Sequence, residues 1–116
     1  MYFSDTEAFE LLSQLVRIPS LSREEGAVAD FLQKKLTAMG LKARREGHNL
    51  WCWAEGSEQE DGRPVVMLNA HIDTVRPAAG WVSDPFTPLL EDLEGGDRKM
   101  TALGTNDDGA SLVAML

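Results

Sequence analysis

A short apolar segment at residues 65–68, Val-Val-Met-Leu, limits the fold of this chain more than any other feature. An unbroken apolar run of this length is typical of a strand that is buried on both faces by helices, as in α/β proteins. It leads directly into Asn-Ala-His71-Ile-Asp73. In open α/β sheets, binding residues gather just beyond the carboxyl ends of strands. The sequence therefore predicts an α/β fold with His71 and Asp73 at its functional edge.

Two helices are predicted before this strand. Ser4-x-x-Glu7 and Ser22-x-x-Glu25 both match the capping box, in which a Ser oxygen and a Glu carboxylate satisfy the free N–H groups of a first helical turn. The first helix should end before Pro19. The second should end near Gly40, which is placed for a left-handed C-terminal cap.

The remaining elements are short. Residues 41–46 and 50–54 are candidate strands, and 55–63 form a charged loop that contains glycine. Residues 89–93 and 99–103 flank Glu-Gly-Gly-Asp at 94–97 and predict a hairpin. A last helix should begin near Asp107 or Asp108. The expected architecture is a mixed central sheet flanked by helices.

The overall composition excludes several classes of protein. The 116 residues include 11 Lys and Arg against 19 Asp and Glu, a net charge of −8, which argues against a basic nucleic-acid binder. No run approaches the ~20 apolar residues that span a bilayer, and the N-terminus does not resemble a signal peptide. Cys52 is the single cysteine, which suits a reducing compartment. We expect a cytoplasmic protein that binds neither nucleic acid nor membrane.

The residue types at the predicted edge suit a metal ion. Imidazole nitrogen and carboxylate oxygen are zinc ligands, so His71 and either Asp107 or Asp108 are the candidate ligands. A ligating His usually donates its other ring N–H to a carboxylate, a role open to Asp73. The alternative is purely structural: His71 and Asp73 hydrogen-bond each other, and Asp107 or Asp108 is the N-cap of the last helix.

Two of these segments resemble the signatures of a known family. Asn-Ala-His-Ile-Asp-Thr-Val at 69–75 and Leu-Gly-Thr-Asn-Asp-Asp-Gly-Ala-Ser at 103–111 are similar to paired motifs of the M20 family of metallopeptidases and deacylases. Trp-Val-Ser-Asp-Pro-Phe-Thr-Pro at 81–88 resembles its acetylornithine deacetylase-like members. The resemblance implies the N-terminal part of a zinc-peptidase-like catalytic domain.

The resemblance also implies roles for individual residues. His71 would ligate one ion of a two-zinc centre, with Co²⁺ as an alternative metal, and Asp73 would orient His71. Asp107 would bridge both ions. Asp108 is the alternative in this position, because Gly109 stands where many relatives have Lys.

The implied activity is hydrolysis of the amide bond of a small N-acyl amino acid or short peptide. An acetylornithine deacetylase-like function in arginine biosynthesis is the favoured form. An aminopeptidase, dipeptidase or desuccinylase of the same family is the first alternative. A non-catalytic remnant or binding module is the alternative from a different class.

The apolar ending, Ala-Ser-Leu-Val-Ala-Met-Leu at 110–116, indicates that residues 1–116 are a partial catalytic domain. By resemblance, the lid or dimerisation domain, the C-terminal half of the catalytic domain and the general-base Glu would be absent. We therefore expect this chain to be inactive alone. An uncovered sheet edge would favour a homo-oligomer.

Overall fold

The computed structural model describes residues 3–54 and 62–116. Three helices and four short strands are present in this part of the chain. In chain order they are α1 (Asp5–Val16), α2 (Gly26–Ala38), β1 (Arg44–Glu46), β2 (Asn49–Trp51), β3 (Leu89–Asp92), β4 (Arg98–Thr101) and α3 (Ala110–Met115). No helix in the described ranges is long and apolar enough to cross a membrane.

The capping box predicted for α1 is confirmed. The Ser4 hydroxyl oxygen accepts from the N–H of Glu7 at 3.3 Å, and the Glu7 carboxylate accepts from the N–H of Ser4 at 2.9 Å. Two free backbone donors of the first turn are thereby satisfied. Leu11 and Leu15 lie on the buried face of the helix.

The capping box predicted for α2 is wrong. The N-cap of α2 is Glu25, and no side chain makes a cap hydrogen bond there. Arg23 adopts a left-handed backbone conformation with φ of 75° and donates its N–H to the Glu25 carboxylate at 2.7 Å. This turn separates Ser22 from the helix, which begins at Gly26. The predicted end is close to the observed one, since α2 ends at Ala38 and Gly40 has a φ of 81°.

The core lies between α1 and α2. Leu15, Val28 and Leu32 form its buried centre. Partly buried apolar side chains from elsewhere in the chain pack against this centre, namely Ile18, Phe31, Leu50, Ile72 and Leu112. Ile72 matters for the site, because its packing anchors the backbone between His71 and Asp73.

The strands form two separate antiparallel sheets. β1 pairs with β2 across the Gly47–His48 turn, and β3 pairs with β4 from Leu89↔Thr101 to Asp92↔Arg98. The predicted hairpin around residues 94–97 is therefore confirmed. The structure combines helices and strands, as expected, but no mixed central sheet is present within residues 3–54 and 62–116. Most of the predicted loop at 55–63 lies outside the described residues.

The buried strand predicted at residues 65–68 is wrong. These four residues pair with no strand of the described chain, and their exposed fractions range from 69% to 83%. An apolar run becomes a buried strand only where neighbouring strands satisfy its N–H and C=O groups and helices cover its faces. No element in the described ranges does either.

Candidate functional site

The segment that carries His71 and Asp73 is held against the loop between α1 and α2. The N–H of Thr74 donates to the carbonyl of Ser20 at 2.8 Å, and the N–H of Ser22 donates to the carbonyl of Thr74 at 3.2 Å. These bonds form a short parallel bridge between Leu21 and Thr74. With Ile72 in the core, the backbone around His71 is fixed from two sides.

The second segment is a turn at Thr105–Gly109, before α3. Gly104 begins it with a φ of 82°, and the N–H of Gly109 donates back to the carbonyl of Gly104 at 2.9 Å. Asp107 (φ −125°, ψ 89°) is not helical, and its peptide bond to Asp108 is cis. The helix expected to begin near Asp107 or Asp108 begins instead at Ala110.

These two segments bring His71 and Asp107 together. His71 Nε2 lies 2.8 Å from Asp107 Oδ1. On the other side of the ring, Nδ1 lies 3.0 Å from the carbonyl oxygen of Asp73 and 3.1 Å from Asp73 Oδ1. Both neighbours of Nδ1 are acceptors, so this nitrogen carries a proton. The imidazole therefore stands between two carboxylates.

The charges around His71 favour its protonated form. The hydrogen bond to Asp107 is the main cause that raises the pKa of His71, and the carbonyl and carboxylate of Asp73 act in the same direction. Burial opposes this effect but is outweighed, since the side chain remains 48% exposed. The raised pKa thus favours an imidazolium at His71, which faces solvent.

Asp73 has a further partner that the sequence analysis missed. The Ser22 hydroxyl donates to Asp73 Oδ2 at 2.5 Å, and this bond is the main cause that lowers the pKa of Asp73. Ser22 lies 51 positions from Asp73 in the chain. Its spacing to Glu25 indicated a helix cap instead, and no local pattern connects it with Asp73.

Asp108 occupies a different position from Asp107. It lines a small cavity of about 30 Å³ together with His71, Asp73 and other residues, whereas Asp107 does not line this cavity. The structural alternative for both acids, an N-cap of the last helix, is wrong, because Gly109 is the N-cap of α3 and no side chain bonds there. Asp107 is thus free to face His71.

The His71–Asp107 pair supplies two ligand types that zinc accepts. Two ligands that each lie ~2.0–2.1 Å from one tetrahedral zinc ion are about 3.3 Å apart. The 2.8 Å between Nε2 and Oδ1 is shorter than this spacing and is a hydrogen-bond distance, so a bound ion would have to displace the proton between the two atoms. Within the described ranges, no group of three or more His, Cys, Asp or Glu is arranged to hold a metal. The described residues therefore bring together two side chains of zinc-ligand type, fewer than a metal site needs.

Comparison with curated proteins finds relatives of this chain. The chain is 31% identical over 93 residues to a succinyl-diaminopimelate desuccinylase of Polynucleobacter necessarius subsp. necessarius (strain STIR1). That protein is an M20 family enzyme. The similarity supports membership of this chain in the broad M20 family.

The aligned region covers 72% of this chain but 24% of the desuccinylase, so the chain spans about a quarter of the length of the curated relative it matches. No family model matches the chain. The relative is a hydrolase, and this supports, at the level of the family only, a relationship of this chain to M20-type hydrolases.

Proposed function

We propose that this chain is a partial catalytic domain of a zinc-dependent hydrolase that cleaves the amide bond of small N-acyl amino acids. The observation that carries the proposal is the meeting of His71 Nε2 and Asp107 Oδ1 at 2.8 Å, with Asp73 on the opposite side of the ring. The similarity to a desuccinylase supports the same class of reaction.

Each residue has a distinct part in this proposal. His71 would hold a metal ion through Nε2, while Asp73 accepts from Nδ1–H and holds the ring in place. Asp107 offers two carboxylate oxygens, so it can bridge a pair of ions. Zinc, if bound there, would supply a water of lowered pKa and a Lewis acid for the amide carbonyl. Co²⁺ is an alternative metal, and Asp108 is the alternative bridging residue.

Two acyl groups are candidates for the substrate of this hydrolase. The name of the relative favours an N-succinyl substrate. The segment at 81–88, which resembles acetylornithine deacetylase-like proteins, favours an N-acetyl substrate. A succinyl group carries a carboxylate that an acetyl group lacks, so a site for succinyl needs a cation to pair with it. An assay of the full reaction should therefore compare the N-succinyl with the N-acetyl substrate. We also propose a cytoplasmic location.

Zinc titration of the purified chain, followed by calorimetry, tests the metal site. We expect binding that weakens at least tenfold in His71→Ala and in Asp107→Ala, because each removes one of two ligands (about 1.4 kcal/mol per factor of ten). His48→Ala and Asp92→Ala are matched controls, since these residues contact neither His71 nor Asp107 in the structure. Zinc binding that is unchanged in both site variants contradicts the proposal.

Hydrolysis of the two substrates is a separate measurement. The described residues supply a two-ligand set and no third acidic or histidine ligand. Positioned water also needs a general base. We therefore expect the 116-residue chain to bind zinc without hydrolysing either substrate, and zinc-dependent turnover by this chain alone would contradict that expectation.

A further inference from the structure

The loop between α1 and α2 reaches the site through one side chain. The Ser22 hydroxyl donates to Asp73 Oδ2, while Asp73 Oδ1 lies 3.1 Å from His71 Nδ1. The two oxygens of one carboxylate thus have two different partners. At 2.5 Å the Ser22 bond lies in the range of charge-assisted O–H···O⁻ bonds, which are about twice as strong as neutral ones.

A carboxylate held at one oxygen can still rotate, because the terminal torsion of an Asp side chain is broad. A carboxylate held at both oxygens cannot rotate without breaking a bond. Ser22 itself is fixed by its backbone, since its N–H donates to the carbonyl of Thr74, the residue after Asp73. The hydroxyl and the carboxylate therefore belong to segments that are already joined.

We propose that Ser22 is a positioning residue, which fixes the Asp73 carboxylate so that His71 presents Nε2 to Asp107. Its effect on the His71 ring follows from the hydrogen bonds alone, whereas its effect on metal affinity rests on the proposed function. Ser22 touches neither ligand directly, and it acts through Asp73.

The competing role for Ser22, a cap for α2, has no support in the contacts. The N-cap of α2 is Glu25, which has no side-chain cap bond, and Arg23 turns the chain between the two residues. Ser22 is also exposed. Removing its hydroxyl should therefore leave the helix and the core unchanged.

A double-mutant cycle on zinc affinity tests this role. We expect Ser22→Ala to weaken zinc binding by ~3–10-fold, less than the loss of His71, because Ser22 supports the partner of a ligand and not the ligand itself. In an Asp73→Ala background, which has no oxygen to accept from the hydroxyl, the same change should cost less than about twofold, because Ser22 acts through Asp73. Ser22→Thr keeps the hydroxyl and should retain near wild-type affinity. Equal losses in both backgrounds would overturn the proposal.

Nitrogen-15 NMR of the His71 ring in the metal-free chain separates this proposal from the proposed function. Ser22→Ala should shift the Nδ1 resonance, and Ser22→Thr should leave it near the wild-type position. If the wild-type chain binds no zinc, the proposed function fails, and the ring spectrum still decides the role of Ser22. An unchanged Nδ1 resonance in a folded Ser22→Ala chain would rule that role out.

Discussion

Gly109 shapes the candidate site through its lack of a side chain. A Cβ at this position would lie 2.6 Å from the carbonyl oxygen of Gly104 and 2.8 Å from Leu12 Cδ1. Its φ of −60° and ψ of −40° suit any residue, so the requirement for glycine comes from contact and not from backbone strain. The missing side chain lets the turn that carries Asp107 close against α1.

Gly109→Ala should therefore destabilise the protein by about 1–3 kcal/mol, the usual cost of forcing extra volume into a packed site. The expected loss comes from the two contacts, because the backbone conformation of Gly109 is one that Ala adopts readily. Urea unfolding measures the effect.

Gly26→Ala is the matched control for this change. A Cβ on Gly26 would have only His48 Nε2 nearby, at 3.6 Å, which is an ordinary contact. We expect this variant to be as stable as the wild type or slightly more stable. Equal destabilisation of both variants would contradict the role assigned to Gly109.

The two capping boxes show where sequence patterns succeed and fail at the level of elements. Ser4 and Glu7 lie within one turn of each other, so their spacing alone determines that they can bond. Ser22 and Glu25 have the same spacing, but Ser22 bonds to Asp73 instead. That partner lies 51 residues away, and only the tertiary fold brings it near. The structure places His71 beside Asp107, as expected from ligand chemistry and the family resemblance, whereas no chemistry in the sequence points to Ser22.

Ser4→Ala should weaken α1. Loss of an N-cap hydroxyl costs ~1 kcal/mol. The hydrogen bonds from Ser4 lower the pKa of Glu7 below its usual 4.5. The stability that this ionised carboxylate contributes is present above that pH and is lost as the pH falls through the lowered pKa.

The effect of Ser4→Ala should thus be largest near pH 7 and smaller below pH ~4, measured by urea unfolding at both values. In the same variant, NMR titration should show the pKa of Glu7 closer to its usual value. Ser13→Ala, inside the same helix, is the control, and we expect it to cause no loss because Ala has the higher helix propensity. A Glu7 pKa that does not rise in Ser4→Ala would contradict the cap.

At the scale of the whole molecule, the sequence predicted local structure better than long-range assembly. The hairpin at β3 and β4 needs only its own turn and was predicted correctly. Residues 65–68 need neighbouring strands on both sides, and within the described ranges none is present. The apolar sequence of this segment suits a buried strand, but its burial requires neighbouring strands and helices that four residues do not specify.

The exposed segment at 65–68 gives the last prediction. Val66 and Met67 are 83% and 82% exposed, and among residues 3–54 and 62–116 the segment joins no sheet, so it can pair with a strand of another copy. We expect the chain to self-associate as its concentration rises, in sedimentation equilibrium experiments. Val66→Lys should weaken association at least about tenfold, because burying one Val side chain is worth ~1.5 kcal/mol or more. The free energy of unfolding of Val66→Lys should change by less than ~0.5 kcal/mol, since the Val66 side chain makes few contacts in the monomer.

Ala38→Lys is the control for charge. Ala38 is exposed in α2, and this variant adds the same charge but should leave association unaltered. Equal weakening by both variants would assign the effect to net charge, and a monomer at every concentration would show that this segment does not pair.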